Sequence, residues 1–127
     1  MIGPSHRTRV FAYGAPCDMR KSFNTLSGLV SAMSHDVATG DVFLFVAKNR
    51  RRAKAIWYDA TGLVLLAKRL DAGRFAALWE VATDELELTM TELRLFLEGS
   101  KAVGKMPLSP PPIDITRARR VSRADFG

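Results

Sequence analysis

Three apolar segments joined by links too short to cross a sheet constrain this chain more than any other feature. Val42 to Val46 is apolar at every position, Lys54 to Tyr58 is mixed, and Leu63 to Ala67 is again apolar throughout. Runs of this length bounded by turn residues read as strands. A parallel neighbour would need a crossover of about a dozen residues or more, so the three segments form an antiparallel meander. An all-apolar strand has both faces covered, which makes Val42 to Val46 a central strand.

The links carry charge. Lys48-Asn49-Arg50-Arg51-Arg52-Ala53-Lys54 lies between the first two strands, and Lys68-Arg69 closes the third. A two-stranded ribbon with cations at its tip can contact successive phosphates, with Arg suited to bidentate contacts. Lys48, Arg50, Arg51, Arg52 and Lys54 are therefore the candidate nucleic-acid-binding residues, with Arg20, Lys21, Lys68, Arg69 and Arg74 as extensions of the patch. Trp57 and Tyr58 point to opposite faces of their strand. One can pack in the core while the other stacks on a base or sits at an interface, and core packing is the favoured reading of the pair.

The remaining elements follow from periodicity and punctuation. Arg9 to Tyr13 reads as a first strand, stopped by Gly14-Ala15-Pro16. Asp18 stands at an N-cap position, and Met19, Phe23, Leu26, Val30 and Met33 recur at helical spacing toward His35. Arg20 and Lys21 then fall in the first turn of that helix, where cations oppose the macrodipole and a bound anion would offset the mismatch. A second helix is expected over about Arg74 to Val81, and Leu86-Glu87-Leu88 reads as a short strand or link. Thr89 and Glu92 form a capping box opening a third helix, with Gly99 marking its end. The expected fold is α+β: an antiparallel sheet of about four strands with a three-strand meander, packed by about three helices. Residues 1–99 form the expected domain. The basic, proline-rich residues 100–127 are expected to form an extended or disordered tail.

Charge is distributed unevenly. Residues 1–75 carry 12 Lys/Arg against 5 Asp/Glu, residues 76–99 carry 1 against 6, and residues 100–127 carry 6 against 2. Clustered cations favour a polyanionic partner through counterion release. Catalytic signals are missing: Cys17, His6 and His35 make no metal-ligand set, and no nucleophile–base arrangement, GxxxxGK[ST] or GxGxxG occurs. No catalytic residue, cofactor or metal is expected. A single cysteine, no secretory h-region and no membrane-length apolar stretch lead to the expectation of a cytoplasmic protein without membrane association.

A longer string of residues adds a resemblance. Asp18-Met19-Arg20-Lys21-Ser22-Phe23, Thr39-Gly40, Val42 to Phe45, Asn49 to Arg52, Lys54, Trp57-Tyr58-Asp59, Gly62, Lys68-Arg69-Leu70 and Gly73-Arg74-Phe75 follow one another in this order. Over about Val10 to Gly99 the chain resembles the TnpB-type accessory proteins of the IS-sixty-six class of bacterial insertion sequences, which are distinct from the RNA-guided nucleases sharing that label. Ser22, Thr25 and Ala60 stand where that family often has glycine. The resemblance implies a non-catalytic accessory protein for DNA transposition, with DNA and the transposase subunits of the same element as partners. Two other classes remain open: a small metal-independent ribonuclease of the toxin type using Arg, Lys, Tyr58 and His35, or a protein adaptor that never touches nucleic acid and uses the acidic stretch Glu80 to Glu98.

Overall fold

The computed structural model describes residues 8–82, 84–102 and 119–121, so most of the tail expected over residues 100–127 lies outside the described residues. In chain order these form β1 (Val10–Tyr13), α1 (Phe23–Ala32), β2 (Val42–Val46), β3 (Arg52–Tyr58), β4 (Leu63–Arg69), β5 (Glu85–Leu88), α2 (Met90–Ala102) and β6 (Arg119–Val121), with short 3-10 turns at Val37–Thr39 and Leu78–Glu80. The sheet order is β4-β3-β2-β1-β5-β6. Five strands up to Leu88 make its body, and the three-residue β6 adds an edge beside β5.

The meander β2-β3-β4 is antiparallel as its short links require. The expected all-antiparallel sheet of about four strands is corrected in two respects. It is larger, and β1 lies parallel to β2, with Val10 opposite Val42 and Ala12 opposite Leu44. The connection from Tyr13 to Val42 contains α1 and is long enough for the crossover that a parallel pair demands. β5 then adds antiparallel to the other edge of β1. Leu86 to Leu88, read as a short strand or a link, is a strand, and it begins one residue earlier at Glu85.

β2 is buried at all five positions, so both of its faces are covered. Alternation along the strands sorts the core into two layers. One face carries Phe11, Phe43, Phe45 and Ile56 against Leu26, Val30 and Met33 of α1 and its C-terminal turn. The opposite face carries Val10, Ala12, Val42, Leu44, Val46 and Trp57 against Phe75, Leu78, Leu93 and Phe96. Each large side chain buried in this way contributes about 1.5–3 kcal/mol. A helix as short as α1 is marginal alone in water, so this burial is what maintains it.

The helices also differ from expectation. Among the described residues there are two α-helices. Arg74 to Val81 is not a helix: Gly73 turns at φ 77°, the Phe75 N–H donates to the Arg50 carbonyl, and only Leu78–Glu80 coils. Phe75 instead stacks on Phe96, with ring centroids 4.9 Å apart. Phe75, Leu78 and Ala82 recur at helical spacing as core anchors of an irregular segment. α1 starts later than expected, with Ser22 as N-cap in place of Asp18. The two non-glycine residues noted there take part in the cap, since the Ser22 N–H donates to the Thr25 hydroxyl at 3.3 Å. The Thr89–Glu92 capping box forms as expected, with bonds of 2.8 and 3.1 Å.

Two backbone positions have opposite residue requirements. Gly99 breaks α2 at φ 72°, ψ 178°, and a Cβ there would lie 2.5 Å from Leu70 Cδ1. Gly99→Ala should therefore lower stability by about 2–3 kcal/mol in urea unfolding, combining a backbone region nearly restricted to glycine with a clash in the core. Ala60 has φ 86° in the turn between β3 and β4. Ala60→Gly should raise stability by about 1 kcal/mol by the same measurement, because it relieves the left-handed strain that Cβ imposes.

Candidate nucleic-acid interface

The cationic loop between β2 and β3 is a closed, braced turn. The Ala47 N–H donates to the Arg52 carbonyl, the Arg50 N–H to the Ala47 carbonyl and the Arg51 N–H to Asn49 Oδ1, each at 2.9 Å. Arg50 takes φ 60°, the left-handed position that ends such hairpin loops. Its carbonyl accepts from Phe75 N–H at 2.6 Å, and the Arg51 carbonyl accepts from Leu70 N–H at 2.9 Å. The loop is therefore tied to the chain leaving β4, and its charges project from a fixed backbone.

Register decides which cations meet. Arg52 lies opposite Arg69, Ala53 opposite Lys68, and Lys54 opposite Ala67. Directly opposed residues share a face, so Arg52, Lys54 and Arg69 lie on the α1 side of the sheet. Lys68 belongs to the other side with Ala53. Lys48, Asn49, Arg50 and Arg51 form the tip beyond them. Arg74 is exposed in the irregular segment after β4, next to the bonded Phe75.

The segment ahead of α1 completes the surface. Cys17 N–H donates to the Val46 carbonyl at 2.9 Å, anchoring this segment to the end of β2. Lys54 Nζ donates to the Lys21 carbonyl at 2.7 Å, which sets Lys21 beside the meander. Arg20 and Lys21 thus precede α1 instead of occupying its first turn, and the expected conflict with the helix macrodipole does not arise there. Arg20 forks onto Asp18, with Nη2–Oδ2 2.7 Å and Nε–Oδ2 3.0 Å. This guanidinium holds the Asp18 carboxyl down to about 2. Arg20 consequently carries its own counterion, which the sequence reading missed; the Asp18-Met19-Arg20 spacing was its signal. Burial pushes the Cys17 thiol up, so it stays protonated at neutral pH.

Between this segment and the edge strand lies a cleft of about 380 Å³ lined by Met19, Arg52, Ala53, Lys54, Ala67, Lys68 and Arg69. A second, of about 350 Å³, is lined by Asn49, Arg51, Arg52, Arg69, Leu70 and Asp71. Arg52 and Arg69 border both. Met19 and Asp71 are contributors that sequence patterning did not identify, because neither belongs to a cation run.

The aromatic and histidine candidates lie elsewhere. Trp57 is buried in the core, as favoured for the pair. Tyr58 is half-buried at the end of β3 opposite Arg52, about 20 Å along the strand. The His35 side chain is 8% exposed, with Nε2 2.6 Å from Glu85 Oε2 and its ring 4.2 Å from that of Phe11. Glu85 sits on β5, three strands from β3 or about 14 Å across the sheet. The fold therefore does not bring Tyr58 and His35 to the cationic surface as a ribonuclease site would need. Among the described residues, no three His, Cys, Asp or Glu side chains are grouped to hold a metal ion, and no helix is long and apolar enough to cross a membrane.

A family model described as IS66 Orf2 like protein matches residues 8–105. The chain belongs to this family. Among curated proteins it is 41% identical over 76 residues to uncharacterized protein y4jC of Sinorhizobium fredii, covering 59% of this chain and 65% of that one. It is 33% identical to uncharacterized protein y4hO of the same organism, covering 59% and 66%. The match therefore spans just under two thirds of the length of these relatives. No solved structure matches the chain. The IS66 Orf2-like match covers the meander, its basic loop and the segment ahead of α1, and associates the chain with the transposition of an insertion sequence.

The Asp18–Arg20 pair can be tested by titration. A carboxyl whose folded value is depressed contributes stability that is fully present above its ordinary value of 3.8 and is lost as pH falls through about 2. Following the Asp18 carboxyl by NMR should give a midpoint near 2, and Arg20→Ala should return it toward 3.8.

Proposed function

We propose that this protein is a non-catalytic accessory factor of an insertion sequence that binds DNA through the basic end of its meander. The observation carrying this reading is the placement of Arg52, Lys54 and Arg69 on one face beside the tip cations Lys48, Arg50 and Arg51. Such a surface suits a phosphate backbone, since it offers charge at spaced points. Contacts of this kind fix register and orientation while carrying no sequence information. The transposase subunits of the same element are the proposed protein partners, with which the factor acts on element ends.

The acidic stretch favours this reading over an adaptor working through its carboxylates. Glu85 is engaged with His35, and Glu92 caps α2. β5 itself is paired by β6, which sets Arg119 opposite Glu87 in register. Two of these carboxylates, Glu85 and Glu92, are thus used within the fold.

A salt series of DNA affinities tests the proposal. Relative to wild type, Arg50→Gly/Arg51→Ala/Arg52→Ala should bind duplex DNA more weakly, with the slope of log affinity against log salt reduced by about 2–3. Glycine at position 50 keeps the left-handed turn. Equal affinities and equal slopes would refute phosphate contact by this loop.

A further inference from the structure

The geometry points to a discrete seat for one phosphate group between the guanidiniums of Arg52 and Arg69, a refinement that rests on reading this surface as one for phosphate. The two arginines are direct cross-strand partners near the end of the β3–β4 pair. Opposed residues hold their Cβ atoms about 4.5–5.5 Å apart, and like charges placed so are destabilising. Both side chains are exposed, and neither forms an ion pair with a carboxylate among the described residues. An anion between them turns the repulsion into two charge-assisted contacts, and the planar fork of each guanidinium suits a group with several acceptor oxygens.

The cleft beside the pair has the form of such a seat. Ala67 stands opposite Lys54, where a longer side chain would fill the hollow, and Met19 supplies an apolar wall. Lys54 stands two residues along the same face from Arg52, and its Nζ is held on the Lys21 carbonyl at 2.7 Å, so it adds a fixed third cation. Asp71 lines the cleft on the other side of the pair. Its carboxylate repels an anion there and directs it to the side of Lys54. The phosphate can belong to a polynucleotide backbone or to a small phosphate compound, since the recognised chemistry is the same.

The test uses the full chain and two probes. Melting is followed with rising inorganic phosphate at constant ionic strength balanced with chloride, for wild type, Arg52→Gln, Arg69→Gln, the double variant and Arg94→Gln as an exposed control on α2. Wild type and Arg94→Gln should show a saturable phosphate-specific rise in melting temperature. Either seat substitution should abolish the rise, with the double variant no different from the singles. Without phosphate at low salt, each single substitution should melt higher than wild type, because it removes the unscreened repulsion. A folded Arg52→Gln that retains the full phosphate response, or single variants that melt lower than wild type without phosphate, would overturn the seat.

Anisotropy with a short labelled DNA duplex separates this proposal from the broader one. Loss of affinity on the order of tenfold for Arg52→Gln and Arg69→Gln, against less than about twofold for Arg94→Gln, supports a backbone phosphate in the seat. DNA binding that is equally strong in the seat variants and in Arg94→Gln overturns the seat while leaving a DNA-binding surface in place. A phosphate-specific rise without DNA binding supports the seat with a small phosphate as ligand, and refutes the DNA reading instead.

Discussion

Complete burial of β2 governs the arrangement of everything else. Five consecutive apolar residues cannot leave a face in water, so the sheet must continue on both sides of Val42 to Val46 and be covered on both faces. β3 satisfies one edge through a short link and β1 the other through a long crossover containing α1. α1 covers one face, while α2 and the segment around Phe75 and Leu78 cover the other. Charge that cannot enter this core is displaced to the strand ends, and the loop leaving β2 carries Lys48, Arg50 and Arg51.

That displacement alone would give a diffuse basic surface. Pairing makes it specific: the β3–β4 register sets Arg52 against Arg69 and sends Lys68 to the opposite face. Backbone bonds from Phe75 and Leu70 then fix the tip at Arg50 and Arg51. The segment anchored by Cys17 brings Lys21 to Lys54, while Asp18 neutralises Arg20 locally. Among the described residues, Lys48, Arg50 and Arg51 at the tip and Arg52, Lys54 and Arg69 on the α1 side of the meander form no ion pair with a carboxylate. A polyanion meets these charges with little ordering of the protein left to do, which lowers the entropic cost of binding.

The sequence made the meander, the central strand and the basic loop legible because those features rest on local periodicity and link length. The capping box at Thr89 and Glu92 was legible for the same reason. The parallel β1–β2 pair was not, because Val10 to Tyr13 shows that a strand exists without naming its neighbour. Arg74 to Val81 mimicked a helix, since Phe75, Leu78 and Ala82 mark core contacts at helical spacing although the backbone is held by Arg50. In the site, the residue types were visible, but which of them share a face depended on a register set by the turn at Asp59 to Gly62. The ion pair of Asp18 with Arg20 lay in plain view at a spacing of two, and patterning by charge runs passed over it.

The central claim is that the end of the sheet bearing Arg50 to Lys54 and Arg69 is the surface that meets DNA. Chemical-shift mapping of an isotope-labelled sample with a short duplex tests it most directly. The account predicts amide shifts confined to residues 48–54, 67–71 and 18–21, with β5, α2 and the turn at Asp59 to Gly62 silent. Shifts centred on β5 and α2, or no shifts at a duplex concentration that saturates binding, would contradict it.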